Sequence, residues 1–124
     1  MPRRWKVGYA KKKKATKARP KKYARSVRRD FRKAVNMTPA QLRAWLASPK
    51  SKSVGFTYKG KRESVGHASG RKIVRMLTGS SFDEKHARKV VGYVHRHLAQ
   101  RPAGDISETR WRYSLMNWGH DPLA

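Results

Sequence analysis

Positive charge is segregated along this chain, and the segregation decides what each part can become. Of the side chains at positions 1–33, sixteen are basic and only Asp30 is acidic. Lys11, Lys12, Lys13 and Lys14 form a like-charge run that repels itself, and few apolar residues stand near it. Such a segment cannot bury enough surface to offset the entropy of ordering its backbone. Residues 1–23 therefore read as a disordered Lys/Arg-rich arm that folds, if at all, on its partner, and residues 24–124 as a small helical domain. Trp5, Tyr9 and Tyr23 punctuate the arm. They suit stacking on bases and equally suit docking back on the domain.

The formal net charge is +25 on 124 residues, so the search for a partner starts with a polyanion. The same imbalance disfavours most enzymes. Seven carboxylates leave few acid/base pairs, and the absence of cysteine removes thiolate nucleophiles, disulfides and Cys-based zinc sites. No apolar run approaches the roughly 18 residues of a membrane span, and no signal-peptide core follows Met1. A transit peptide is disfavoured because the Lys run, Pro2 and Pro20 interrupt the amphipathic helix it needs, and a membrane-surface role because no apolar helical face accompanies the charge. The KKKKATKARPKK stretch also matches a nuclear-import cluster in composition. The expectation is a soluble intracellular protein, cytoplasmic at the nucleoid or nuclear in a eukaryote.

The domain reads as all-α, a compact bundle of about five short helices. Val27, Phe31, Ala34 and Val35 fall on one side of a helix from Ala24 to Asn36. Thr38, Pro39 and Gln41 form a capping box that opens a second helix with Leu42, Trp45 and Leu46 inward, ended by Ser48-Pro49. Residues 50–65 show no period, and 55–62 reads as either a short hairpin or an ordered loop. A third helix covers Gly70 to Leu77, with Gly79 as its stop. Ser81 and Glu84 suggest another capping box before Ala87, Val90, Val91, Val94 and Leu98, which lie within about 80° of one another on a helix. A last helix runs from Asp105 or Ser107 to Asn117, with Trp111, Leu115 and Trp118 on one face and Gly119 as its stop. Trp45, Trp111 and Trp118 are read as core.

The blocks HASGRKIV at 67–74, RKVVGYVHRHLAQRP at 88–102 and SLMNWGHDPLA at 114–124 resemble a small family, domain of unknown function 3140. NMTPAQLRAWL at 36–46 and SVGH at 64–67 resemble its opening, so the resemblance covers about residues 30–124. Members are often labelled DNA-binding, and the resemblance implies that label here. Residues 1–29 lie outside it, and their role rests on charge.

The histidines do not read as a metal site. His95 and His97 are two apart on a helix and point about 200° apart. His86, Tyr93 and His97 form a stripe on the edge between core and basic face, suited to phosphate or core contact. His67, between Gly66 and Gly70, sits where an anion nest or a self-capping contact would form. Asn117 to Asp121 carries polar groups fit for a tertiary knot, and a His120/Asp121 catalytic pair lacks a nucleophile. No cofactor, no metal and no small-molecule substrate are expected.

Nucleic acid is the expected partner, with duplex DNA favoured over RNA. The residues expected to bind it are Arg3, Arg4, Lys6, Lys11, Lys12, Lys13, Lys14, Lys17, Arg19, Lys21 and Lys22 of the arm and its junction. Arg25, Arg28, Arg29 and Arg32, beside Lys33, follow on the first helix, then Arg71 and Arg75 on the third, and Lys85, Arg88, Lys89 and Arg96 on the fourth. These faces carry almost no interspersed acid, unlike ordinary solvated faces. A helix-turn-helix over Gly70 to Leu98 is one way to present them. With few Asn or Gln on that helix, contacts would fall mainly on phosphate, which positions a protein without specifying sequence. The expectation is a non-catalytic, weakly sequence-specific, nucleoid- or chromatin-associated protein. The alternatives are a ribosome-associated RNA-binding protein, or an adaptor with a polybasic localisation tail, whose mark would be exposed apolar residues such as Tyr113 and Met116.

Overall fold

The computed structural model describes residues 21–79 and 81–124, with side chains from residue 25 onward. The expected disorder of the arm, its aromatic rings and its cations from Arg3 to Lys22 lie outside the described side chains. Within the described residues the chain is all-α, with six helices: α1 (Lys21–Ala34), α2 (Pro39–Leu46), α3 (Pro49–Lys52), α4 (Val65–Thr78), α5 (Glu84–Leu98) and α6 (Arg110–Asn117). No strand occurs among these residues.

Local chemistry explains each boundary. Thr38 Oγ1 accepts from Gln41 N at 3.1 Å while Gln41 Oε1 accepts from Thr38 N at 2.9 Å, so the expected capping box is present. Ser48-Pro49 ends α2 as expected but also opens α3. Proline drives the residue before it into extended backbone, which is the N-cap conformation, and Ser48 Oγ then accepts from Ser51 N. This accounts for the sixth helix. α1 begins at Lys21 rather than Ala24. α4 begins at Val65 rather than Gly70, with Ser64 as N-cap. The cap of α5 is Asp83, not Ser81, because the Asp83 carboxylate takes His86 N at 3.0 Å. α6 begins late, after Thr109, since Asp105 and Ser107 close a turn that drives Ile106 inward to 2% exposure. The 55–62 segment is an ordered loop, not a hairpin. It turns at Gly60, with Lys61 N bonded to Tyr58 O, and joins α4 through Val65 N to Phe56 O at 2.8 Å.

α5 lies chiefly along α1, α4 lies chiefly along α2, and α6 touches α2, α3, α4 and α5. The helix-turn-helix over residues 70–98 is therefore not the packing unit, because its two helices pack mainly on other partners. The core joins Val27 and Phe31 of α1 to Ala87, Val90 and Val94 of α5, and Leu42 and Leu46 of α2 to Ile73 of α4 and Leu115 of α6. Each Val, Leu, Ile or Phe among them, fully buried, contributes about 1.5–3 kcal/mol of transfer free energy. Trp118 is buried as expected, whereas Trp45 and Trp111 are only partly so.

Candidate nucleic-acid interface

Two sets of the domain's cations each line a common surface. On α1, opposite the Val27/Phe31 stripe, Arg25, Arg28, Arg29, Arg32 and Lys33 are all exposed and line one shallow depression. Among the described residues no carboxylate pairs with any of them. Phe82 holds this surface in place. Its ring meets Phe31 edge-on at 5.6 Å, and the Arg28 guanidinium lies 4.1 Å from its centroid. Such a contact leaves the N–H edges of the guanidinium free for phosphate.

The second surface is a cleft of about 600 Å³ between α4, α5 and the 53–64 loop, lined by Lys61, Arg62, Arg71, Lys72, Arg75 and Lys89 among others. Two of these are already committed. Arg71 binds Glu63 in bidentate fashion (2.7 and 2.6 Å), and Lys72 pairs with Asp83 at 2.6 Å. The Arg71 guanidinium holds the Glu63 carboxyl down to about 2, and Lys72 with the His86 N–H does the same for Asp83. So Arg71, expected to bind phosphate, is first a partner of Glu63. Arg75 and Lys89 both line this cleft. Lys85 and Arg88 are exposed but line neither surface, and Arg96 faces an adjoining hollow. Lys61, Arg62 and the loop aromatics are cleft residues that helical periodicity could not reveal. The only local signal was the clustering of Phe56, Tyr58, Lys59, Lys61 and Arg62 around Gly60.

The edge stripe of α5 proves to be a core contact. Trp118 inserts between His86 and Tyr93, and the stack continues through His97 to Trp111, with neighbouring centroids 6.2, 4.4, 5.0 and 5.7 Å apart and planes within 16°. His97 and Trp111 also lock reciprocally. The imidazole Nε2–H donates to Trp111 O at 3.1 Å, and the indole N–H donates to His97 O at 2.8 Å. Burial pushes both His86 and His97 below the ordinary histidine value, Lys72 and Lys89 adding to the effect at His86. Their neutral forms belong to the fold, so the stability they contribute is complete above about pH 6.5 and is lost as pH falls through their lowered values. Thermal melts from about pH 7 to about pH 5 should therefore fall more steeply for the parent than for a His86→Phe/His97→Phe variant. Parallel curves would show that the two rings do not set this dependence. Glu63 and Asp83, held near 2, titrate well below that window.

His67 does not frame an anion nest. Its Nε2–H donates to Leu46 O at 2.7 Å and its Nδ1 faces Glu63 Oε2 at 2.5 Å, tying the start of α4 to the end of α2. The N–H groups of Val65 and His67 are taken by Phe56 O and Ser64 Oγ, and Gly66 and Gly70 face Trp118 and Leu46. The C-terminal knot is present. Arg112 grips Asp121 at 3.1 and 3.0 Å, Asn36 bonds the Asp121 backbone twice, and His120 Nδ1 donates to Ala34 O at 2.7 Å. Burial would raise the Asp121 carboxyl, but Arg112 and the Leu123 N–H outweigh it and hold it low. His120 and Asp121 are thus occupied in fastening the 34–37 link to residues 119–121. Tyr113 and Met116 are not the exposed apolar residues expected. Tyr113 packs on Trp45 and donates to Glu108, and the exposed rings are Phe56 and Tyr58. Among the described residues no His/Asp/Glu cluster has metal-holding geometry, and no helix is long and apolar enough to cross a membrane.

These features define a small all-α basic protein with two cation-lined surfaces, in which His67, His86, His97 and His120 and the acids Glu63, Asp83, Glu108 and Asp121 are committed to contacts within the fold. The chain belongs to the family described as protein of unknown function (DUF3140), whose model matches residues 30–116. No curated protein and no solved structure matches it.

Proposed function

We propose that this protein is a non-catalytic nucleic-acid-binding protein that holds duplex DNA by its phosphates with weak sequence preference, in association with nucleoid or chromatin. The observation that carries this reading is the α1 surface: five exposed cations in one depression, without a carboxylate partner among the described residues. A face kept only for solubility mixes signs. Four of the chain's seven acids pair elsewhere in the fold, with Arg71, Lys72, Lys50 and Arg112, and this cation set is left to an external anion. The N-terminal arm, with its lysine run, adds counterion release to the same partner.

The test is fluorescence anisotropy of the full chain on duplex DNA across a salt series, beside a variant carrying Arg25→Ala, Arg28→Ala, Arg29→Ala and Arg32→Ala. Each phosphate contact adds about 0.9 to the slope of log affinity against log salt, so the variant, four cations poorer, should lose up to about 3.6 from that slope. An unchanged slope would remove α1 from the interface, and no binding to duplex by the parent would end the reading. Tighter binding to a structured RNA than to the duplex would overturn the choice of DNA.

A further inference from the structure

The loop between α3 and α4 carries two aromatic rings that the fold leaves in water. Phe56 is 65% exposed and Tyr58 61%, edge to face with centroids 4.8 Å apart. They stand on a hollow of about 440 Å³ whose other walls include Tyr93, Trp118, Lys89 and Arg96. Tyr58, Val65, Lys89 and Trp118 line this hollow and the basic cleft alike, so the two are continuous. Arg62 and Arg75 extend the cationic rim. Among the described lining residues the one carboxylate is Glu63, already bound to Arg71 and His67. The size falls in the range of small-ligand clefts.

Exposed aromatic faces beside unopposed cations meet both needs of a single strand, stacking for the base and charge for the phosphate. A base inside a duplex has both faces covered by its neighbours and cannot use these rings without leaving the stack. The chain's own arm is a poor occupant, because it brings like charge to a cationic rim. An acidic peptide would satisfy the cations but leave the ring pair without a flat partner.

We propose that this cleft receives an unpaired base of a polynucleotide, stacked on one ring of the perpendicular Phe56/Tyr58 pair and edge-on to the other, with the adjoining phosphates on Lys89, Arg96 and Arg62. The inference rests on the reading that the partner is a nucleic acid, and it adds a second mode, single-strand capture, at a surface distinct from α1.

The experiment titrates the full chain against a short DNA strand carrying one 2-aminopurine, the same strand with abasic positions, its ribonucleotide counterpart, a duplex, and an acidic peptide of matched charge. The parent should prefer the base-bearing strand over the abasic one by about tenfold or more, the scale of one or two stacked bases, and should quench the 2-aminopurine. A Phe56→Ala/Tyr58→Ala variant should lose that preference and the quenching yet bind duplex as the parent does. Both substitutions lie on an exposed loop whose bonds to α4 are made by backbone, and circular dichroism checks the fold. Equal affinity for the abasic strand, or a variant that keeps the preference, overturns the proposal while leaving duplex binding intact. A matched peptide that competes equally also overturns it. Failure to bind any polynucleotide would defeat the broader reading and this one together.

Discussion

Gly70→Ala is expected to lower the melting temperature by about 10 °C or more, even though alanine is the better helix former. A Cβ at this position would lie 2.5 Å from the backbone O of Asn117 and 2.7 Å from Leu46 Cδ2. Alanine gains about 1 kcal/mol of helix propensity in the interior of α4. Against that, overpacking costs about 1–3 kcal/mol or more, and a backbone oxygen has no rotamer by which to withdraw. A net loss of about 2 kcal/mol corresponds to about 10 °C in a domain of this size. Gly92→Ala on α5 supplies the opposite sign. Its Cβ would meet only the end of the Arg96 side chain, Nη1 at 3.0 Å and Cζ at 3.9 Å, which can swing away. That variant should gain up to about 1 kcal/mol from propensity alone. Thermal melts of the two beside the parent check the pair. A Gly70→Ala chain as stable as the parent would mean that α4 and its neighbours can part here without cost.

Asn117→Ala is expected to cost about 3 kcal/mol. Asn117 is 1% exposed, and its Oδ1 accepts from Trp45 Nε1 at 2.7 Å and Ser51 Oγ at 2.5 Å, while its Nδ2 donates to Ser51 O at 3.1 Å. One amide thus fastens α2, α3 and α6 together. Truncation leaves an indole N–H, a hydroxyl and a carbonyl without their partner, and each buried polar group so stranded costs about 1–3 kcal/mol. Asn117→Asp should be worse, because an anionic oxygen would face the Ser51 carbonyl in place of the amide donor. Denaturant unfolding measures both. Repeating Asn117→Ala in a Ser51→Ala background should cost clearly less than in the parent, since the lost partner is then shared. Strict additivity would show that the cost of losing this amide does not run through the Ser51 hydroxyl.

How far the sequence reaches can be seen residue by residue. The α1, α2 and α5 stripes were legible because Val27/Phe31, Leu42/Leu46 and Ala87/Val90/Val94 recur at helical spacing, and periodicity is a local property. The Thr38/Gln41 box was legible for the same reason, since both partners lie within one turn. The start of α4 was not. The expected helix opened at Gly70 and left Gly66 outside it, whereas both glycines lie within α4 and are small so that Trp118 and the Asn117 backbone can approach. Asp83 displaced Ser81 as the cap of α5, and its carboxylate is also paired with Lys72 on another helix. The candidate interface divides in the same way. The cations of α1 were legible as an exposed face, but Arg71 was not legible as a partner of Glu63, nor Phe56 and Tyr58 as the rings of a cleft.

By itself, then, the sequence determined an all-helical domain with basic outer faces and a net charge of +25, because spacing, capping and charge are read along the chain. The tertiary structure alone decided which cations stay free, which histidines become part of an aromatic stack, and where the loop aromatics meet the basic cleft. Those outcomes depend on pairs such as Trp45 with Asn117 and Ala34 with His120, far apart in sequence and joined only by packing.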